Sequence, residues 1–339
     1  MVDEHGARDG TGLLAAASAV GEEAGEGAEA VALALLTLGI RARDERDHLR
    51  AGRLFELASE ATVGMGDVPL WVRARALLGG LYRAQGSYRE AEEVLREALA
   101  AAEEAAAVPG SMRIDVCNEL GILFKYTGKF DEAKSFYERA LTLLEGNSVS
   151  DQRAAASLHH NLSGLAHSRG DFAAAVEPGR RAIAIRERAL GPDHVEVALD
   201  KAALAPVLIE LGELDEAETL LTEALATIEE TYGPEHYETG VALGNLAALA
   251  YRREDYTRAE ELFDRCLRLK EQALGTGHPE LAVTLNNLAA LAGRHGDPDR
   301  ARALWQRAVT ILVASVESGH PLLGTVRRGL ETLGPKDSA

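Results

Sequence analysis

Five side chains in the middle of the chain could move protons: Asp115, Lys125, Tyr126, His160 and His167. Imidazole is the natural general acid or base near neutral pH, and a carboxylate or amine beside it would tune or orient it. His160 and His167 stand seven positions apart, two helical turns and roughly 10 Å along one face, too far to share a metal ion. No His-x-x-x-His or Cys-x-x-Cys pair and no Walker loop occurs, and Gly10-Thr11-Gly12 lacks the later glycine of a dinucleotide fingerprint. The residues therefore predict no metal and no cofactor. Without a nucleophile or phosphate loop, catalysis on a small molecule by these five residues is the alternative reading, not the leading one.

The other suggestive chemistry is recognition. Asparagine offers one donor and one acceptor, matching one peptide unit, so asparagines repeated along a surface could hold an extended backbone without reading its sequence. Arginines and lysines among them would attract an acidic feature of the guest. The formal net charge of −18 argues against a protein held by phosphate contacts, so no nucleic-acid partner is expected. No apolar run of membrane-spanning length occurs, and Met1-Val2-Asp3-Glu4-His5 lacks the basic-then-apolar layout of a secretory signal, so a cytoplasmic location is expected. Cys117 and Cys266 give no disulfide framework and read as small core fillers.

What must position these residues is a repeat. Ala91, Ala133, Ala175, Ala217, Ala259 and Ala301 recur every 42 residues, with a degenerate copy at Ala51. Relative to each alanine, position −13 is leucine in all seven copies (Leu38 to Leu288), and −12 is small: Gly39, Gly79, Gly121, Ser163, Ala205, Ala247 and Ala289. Position +4 is usually large, as in Phe55, Leu95, Tyr137, Leu221, Phe263 and Trp305, with Gly179 the exception. Position −5 is glycine in five of the six regular copies, with Glu254 in its place in the other. Offsets −16, −13, −12 and −9 form one helical stripe, and 0, +4 and +7 a second, so each copy predicts two antiparallel helices joined by a left-handed glycine turn. No copy can bury its stripe alone, so stacked copies must share one continuous core. Pro206 falls inside a first helix and should kink it.

This pattern resembles the tetratricopeptide repeat (TPR), and its 42-residue period looks like the kinesin-light-chain type. The motifs Asn245-Leu246-Ala247 and Asn287-Leu288-Ala289, the text Ala259-Glu260-Glu261-Leu262-Phe263, and loops ending in His194, His236, His278 and His320 carry the likeness. It implies an all-α right-handed TPR superhelix, an α-solenoid of about seven helix-turn-helix repeats closed by a capping helix at 322–333. A single domain at 27–333 is expected, with 1–26 a disordered or frayed segment and 334–339 a tail.

The resemblance also implies that first helices line the concave groove. The exposed first-helix rows then nominate Arg73, Arg83, Asn118, Lys125, His160, Asn161, His167, Asn245, Tyr251, Arg252, Asn286, Asn287 and Arg294 as peptide-binding residues. Early copies read as polar and net basic, later ones as apolar and floored by Ala202, Pro206, Gly244, Ala248 and Ala290. In kinesin-light-chain-like domains such asparagines line the peptide groove, and that role carries to Asn118, Asn161, Asn245, Asn286 and Asn287. The expected function is a scaffold or adaptor holding a protein or peptide segment. A small-molecule or catalytic site at 115–167 and a ligand-responsive regulator stand as alternatives. The loop histidines are expected to cap the helices that follow them, or to form a pH-sensitive ladder.

Overall fold

Alanine and leucine at helical spacing, with few β-branched or aromatic residues, favour helix throughout. The computed structural model describes residues 27–144, 148–316 and 318–333; the expectations for 1–26 and 334–339 lie outside them. Among the described residues the regular structure is fifteen α-helices and no strand. They are α1 Ala28–Asp44, α2 His48–Met65, α3 Val68–Ala84, α4 Tyr88–Glu104, α5 Gly110–Thr127, α6 Phe130–Thr142, α7 Val149–Ser168 and α8 Phe172–Leu190. There follow α9 Val195–Leu211, α10 Leu214–Tyr232, α11 Tyr237–Arg252, α12 Tyr256–Leu274, α13 Leu281–Arg294, α14 Pro298–Ser315 and α15 Pro321–Thr332. No described helix is long and apolar enough to cross a membrane.

By packing, the chain divides into two compact units: residues 27–123 with Glu138–Leu144, and Phe124–Tyr137 with residues 148–333. In the first unit α1 packs on α2, α2 on α3 and α3 on α4. In the second, hairpins α7–α8, α9–α10, α11–α12 and α13–α14 stack in order, and α15 covers α14. First helices also touch the first helices of neighbouring copies, as α9 touches both α7 and α11. This is the helical solenoid that the repeat predicts.

The anchor alanines explain why the hairpins close. Ala51, Ala91, Ala133, Ala175, Ala217, Ala259 and Ala301 are wholly buried, and so are Ala58, Ala98, Ala140, Ala182, Ala224 and Ala308 at +7. Cys266 takes the +7 place in its copy and is buried; neither it nor Cys117 is bridged. Of the −13 leucines, Leu78, Leu120, Leu204 and Leu288 are buried, while Leu38, Leu162 and Leu246 are half-buried. The small residue at −12 is there to admit the large one at +4. A Cβ added at Gly39 would overlap the Phe55 ring, and one at Gly79 would overlap the Leu95 side chain. At Gly179, where the large residue is missing, Leu204 from the next copy fills the space: an added Cβ would lie 2.7 Å from its Cδ1.

The inter-helix turn is left-handed in every copy. Gly86, Gly128, Gly170, Gly212 and Gly296 have φ between 77° and 83°. The two copies without glycine take the same conformation, Arg46 at φ 63° and Glu254 at φ 64°. Hairpin geometry thus imposes the turn, and glycine only lowers its cost.

The close approach at −12 gives a test. Gly79→Ala should destabilise the protein by about 1–3 kcal/mol, because the overpacking of Leu95 outweighs the gain in helix propensity. Gly293→Ala, whose added Cβ meets nothing within 4 Å, should stabilise by roughly 0.5–1 kcal/mol. Urea unfolding followed by circular dichroism measures both.

Candidate functional site

In the first unit, α3 and α5 present the same rows of their inner faces side by side. Arg73, Ala76, Gly80 and Arg83 on α3, with Asp115 and Asn118 on α5, wall a cavity of about 450 Å³ that Arg43, Met112 and Glu119 complete. Gly80 and Ala76 are the small residues of its wall, and a Cβ added at Gly80 would lie 3.4 Å from the Glu119 carboxylate. The sequence reading treated Arg83 as an available cation, but the Arg83 Nε donates to Glu119 Oε2 at 2.9 Å and the pair is three-quarters buried. Glu119 occupies the same border row as Asn161, Asn245 and Asn287, so the signal was present and went unused. Arg73 is exposed and makes no ion pair among the described residues. Asp115 is held above the ordinary carboxylate value by burial first and Glu119 second, with Arg73 opposing.

Asp115 belongs to the first unit; Lys125, Tyr126, His160 and His167 belong to the second. There, Lys125 Nζ lies 5.1 Å from the Tyr126 ring centre and would stand 3.6 Å from a Cβ at Gly164. Burial, aided by Lys125 and opposed by Glu210, pushes the His167 imidazole below its ordinary value. His160 Nδ1 lies 2.6 Å from Asp200 Oδ1, and the other oxygen of Asp200 is 3.2 Å from Arg186 Nε. Asp200 and Arg186 are both buried, and Arg186 also donates to Ser157 Oγ at 2.8 Å and reaches Glu196 at 3.3 Å. A buried ion pair of this kind orients the imidazole from behind and fixes how it meets whatever lies on the inner face. Asp200 was missed because a lone aspartate within an apolar helix carries no pattern.

Asn245 has a use inside the fold. Pro206 lacks the N–H that would pair with the Ala202 carbonyl four residues earlier. Asn245 Nδ2, from the first helix of the next copy, donates to that carbonyl at 2.8 Å. Helix α9 is continuous through Pro206, and the acceptor that the proline orphans has a partner. Asn287 holds the same place one copy on and faces a helix with no proline; its side chain makes no hydrogen bond among the described residues. Asn286 Oδ1 accepts from Trp305 Nε1 at 3.0 Å, so it too ties helices together.

Arg252 Nη2 donates to the Ile209 carbonyl at 3.4 Å. Arg294 lies over the Tyr251 and Tyr256 rings and donates to both hydroxyls, at 2.9 and 3.0 Å. Asn118 lines the first unit's cavity, and Asn161 stands half-buried on α7.

His194, His236 and His320 cap the helices after them, and His278 makes the same bond to Glu280, the residue before α13. The N–H groups of Glu196, Glu238, Glu280 and Leu322 donate to Nδ1 of His194, His236, His278 and His320 at 3.2–3.3 Å. Three of these loops read His-x-Glu, and that glutamate has three fates. Glu196 pairs with Arg153 at 2.6 Å. Burial and then Glu280 raise the Glu238 carboxyl. Glu280 accepts from the Tyr126 and Tyr237 hydroxyls. Among the described residues, no group of three or more His, Cys, Asp or Glu could hold a metal ion.

Comparisons agree with this architecture. The family described as MalT-like TPR region matches residues 40–234, and that described as Tetratricopeptide repeat matches 197–272 and 238–314. No curated protein matches the chain. Among solved structures, a Rap protein complexed with competence and sporulation factor is 14% identical with a TM-score of 0.62, over 89% of this chain and 87% of its own. NprR in complex with its cognate peptide NprX is 14% identical with a TM-score of 0.58, over 88% of this chain and 81% of its own. Kinesin light chain TPR-like repeats from Podosopora anserina are 22% identical with a TM-score of 0.41, over 60% of this chain and 96% of theirs.

Two outcomes follow from the side chains described. Asn245→Ala should cost about 1–2 kcal/mol by orphaning the Ala202 carbonyl, and much less in a Pro206→Ala background where the helix supplies its own donor. Urea unfolding of the four proteins in that cycle measures the coupling. Burial also holds His159, His167 and His320 below the ordinary imidazole value of 6.5. The stability this gives is complete above that value and lost as pH falls through the lowered ones, because the unfolded chain takes up protons first. Urea midpoints should therefore fall between about pH 7 and about pH 5, and His167→Asn should flatten that fall.

Proposed function

Given that the chain belongs to the tetratricopeptide-repeat family, we propose that it is a scaffold whose first-helix faces hold an extended protein or peptide segment. One observation carries this reading: two successive first helices wall a cavity of about 450 Å³, lined in part by Ala76, Gly80 and an exposed Arg73 that makes no ion pair among the described residues. That volume admits guest side chains, and Arg73 in its wall favours a guest with an acidic feature there, since Arg83 and Arg43 are already paired with Glu119 and Asp44. Asn118 supplies an amide beside it for the guest's backbone. In the second unit Lys125, His160, Asn161 and His167 offer further polar contacts, while Asn245, Asn286, Arg252 and Arg294 hold the solenoid's own helices and shape the surface. The Rap and NprR complexes give this reading a precedent in folds of the same kind. With a net charge of −18, nucleic-acid backbones and anionic membranes are poor partners, and the segment is read as a cytoplasmic protein's.

An array of eight-residue peptides, half of them rich in Asp and Glu, provides the probe. The tightest binder should be acidic, should weaken with added salt, and should bind Arg73→Glu at least tenfold less tightly by fluorescence anisotropy. Binders with no acidic bias, unaffected by Arg73→Glu, would remove the cavity from the account.

A further inference from the structure

In a solenoid each repeat needs only its neighbours. Inside the second unit, however, one carboxylate joins positions 154 residues apart: the Tyr126 hydroxyl, at the end of α5, donates to Glu280 at 3.0 Å. Tyr237, opening α11, donates to the same carboxylate. The backbone of Tyr126 is hydrogen-bonded to the His320 imidazole. Two residues on, Gly128 (φ 83°) sits so close to the start of α15 that a Cβ there would lie 3.2 Å from His320 and 3.7 Å from Pro321. Three separate contacts therefore bring the turn after α5 against the last regular copy and the capping helix, four repeats away.

We propose that Tyr126, Tyr237, Glu280 and His320 form a clasp that closes the second unit's inner face, and that opening the clasp admits a guest to that face. Stacking does not require these contacts. They are few and polar, whereas each hairpin seam is broad and apolar, so this junction opens at the lowest free energy. The chemistry suits a reversible latch. Burial works against the Glu280 charge, but Lys270, the two tyrosine hydroxyls and His278 more than offset it, so the carboxylate stays ionised near neutral pH. Burial and Glu280 keep the Tyr237 phenol protonated and donating. Glu238 and His160 also face this group, and His320 spends its other nitrogen on the cap of α15.

Full-length protein carrying spin labels at Glu132→Cys and Ser318→Cys, both exposed, reports the clasp by double electron–electron resonance, without any guest. The native cysteines are buried. One short, narrow distance is expected, giving way to a longer, broader one when Tyr126→Phe and Glu280→Gln are combined at unchanged helicity. The same pair of substitutions should speed maleimide labelling of Ala290→Cys, half-buried on the inner row, by at least tenfold. Tyr126→Phe alone removes a single hydroxyl and should give an intermediate result. An unchanged distance overturns the clasp, and unchanged labelling overturns its role as a gate. Neither readout uses a peptide, so failure here is distinct from failure of the peptide-binding reading.

Discussion

The constraint on which everything else rests is the contact between the small residue at −12 and the large one at +4. It sets how closely two helices of a hairpin approach, and so fixes which rows of the first helix face the core and which stay free. The phenyl ring of Phe55 over Gly39 and the Leu95 side chain over Gly79 are the same event in successive copies. Across the next seam Trp305 also meets the capping helix closely, since a Cβ added at Gly329 would overlap the indole. Dense packing tolerates no extra methyl there, and that intolerance makes the register unambiguous.

Much of this was legible because the repeat restates it. The anchor alanines, the small floor and the left-handed turn recur often enough for local exceptions to be discounted. Arg46 and Glu254 show how strong the restatement is: neither favours a positive φ, and both adopt it because the hairpin around them leaves no other turn. The loop histidines fall in the same class, with a fixed position and a fixed bond, each accepting the N–H of the second residue on.

The side-chain partnerships were less legible, since they are pairings between copies and no single copy contains them. Pro206 and Asn245 are 39 residues apart, and each looks anomalous or functional alone; together they are one missing donor and its replacement. Arg83 looked like a free cation until Glu119, on the next first helix, neutralised it. Asp200 gave no motif of its own, and the His-x-Glu that Glu280 shares with two other loops did not set it apart, because a buried acid is intelligible only beside the arginine or tyrosines that satisfy it. Several polar side chains of the first helices thus hold neighbouring helices together, whereas Arg73 is exposed and makes no ion pair among the described residues.

The central claim is that the free rows of the first helices, not the second helices, receive the partner. Hydrogen–deuterium exchange of the full chain with and without a saturating acidic peptide tests it most directly. Slowed exchange concentrated in α3 and α5, around Arg73 and Asn118, is the expected result. Protection confined to α4 and α6, or spread evenly over both helices of each hairpin, would contradict it.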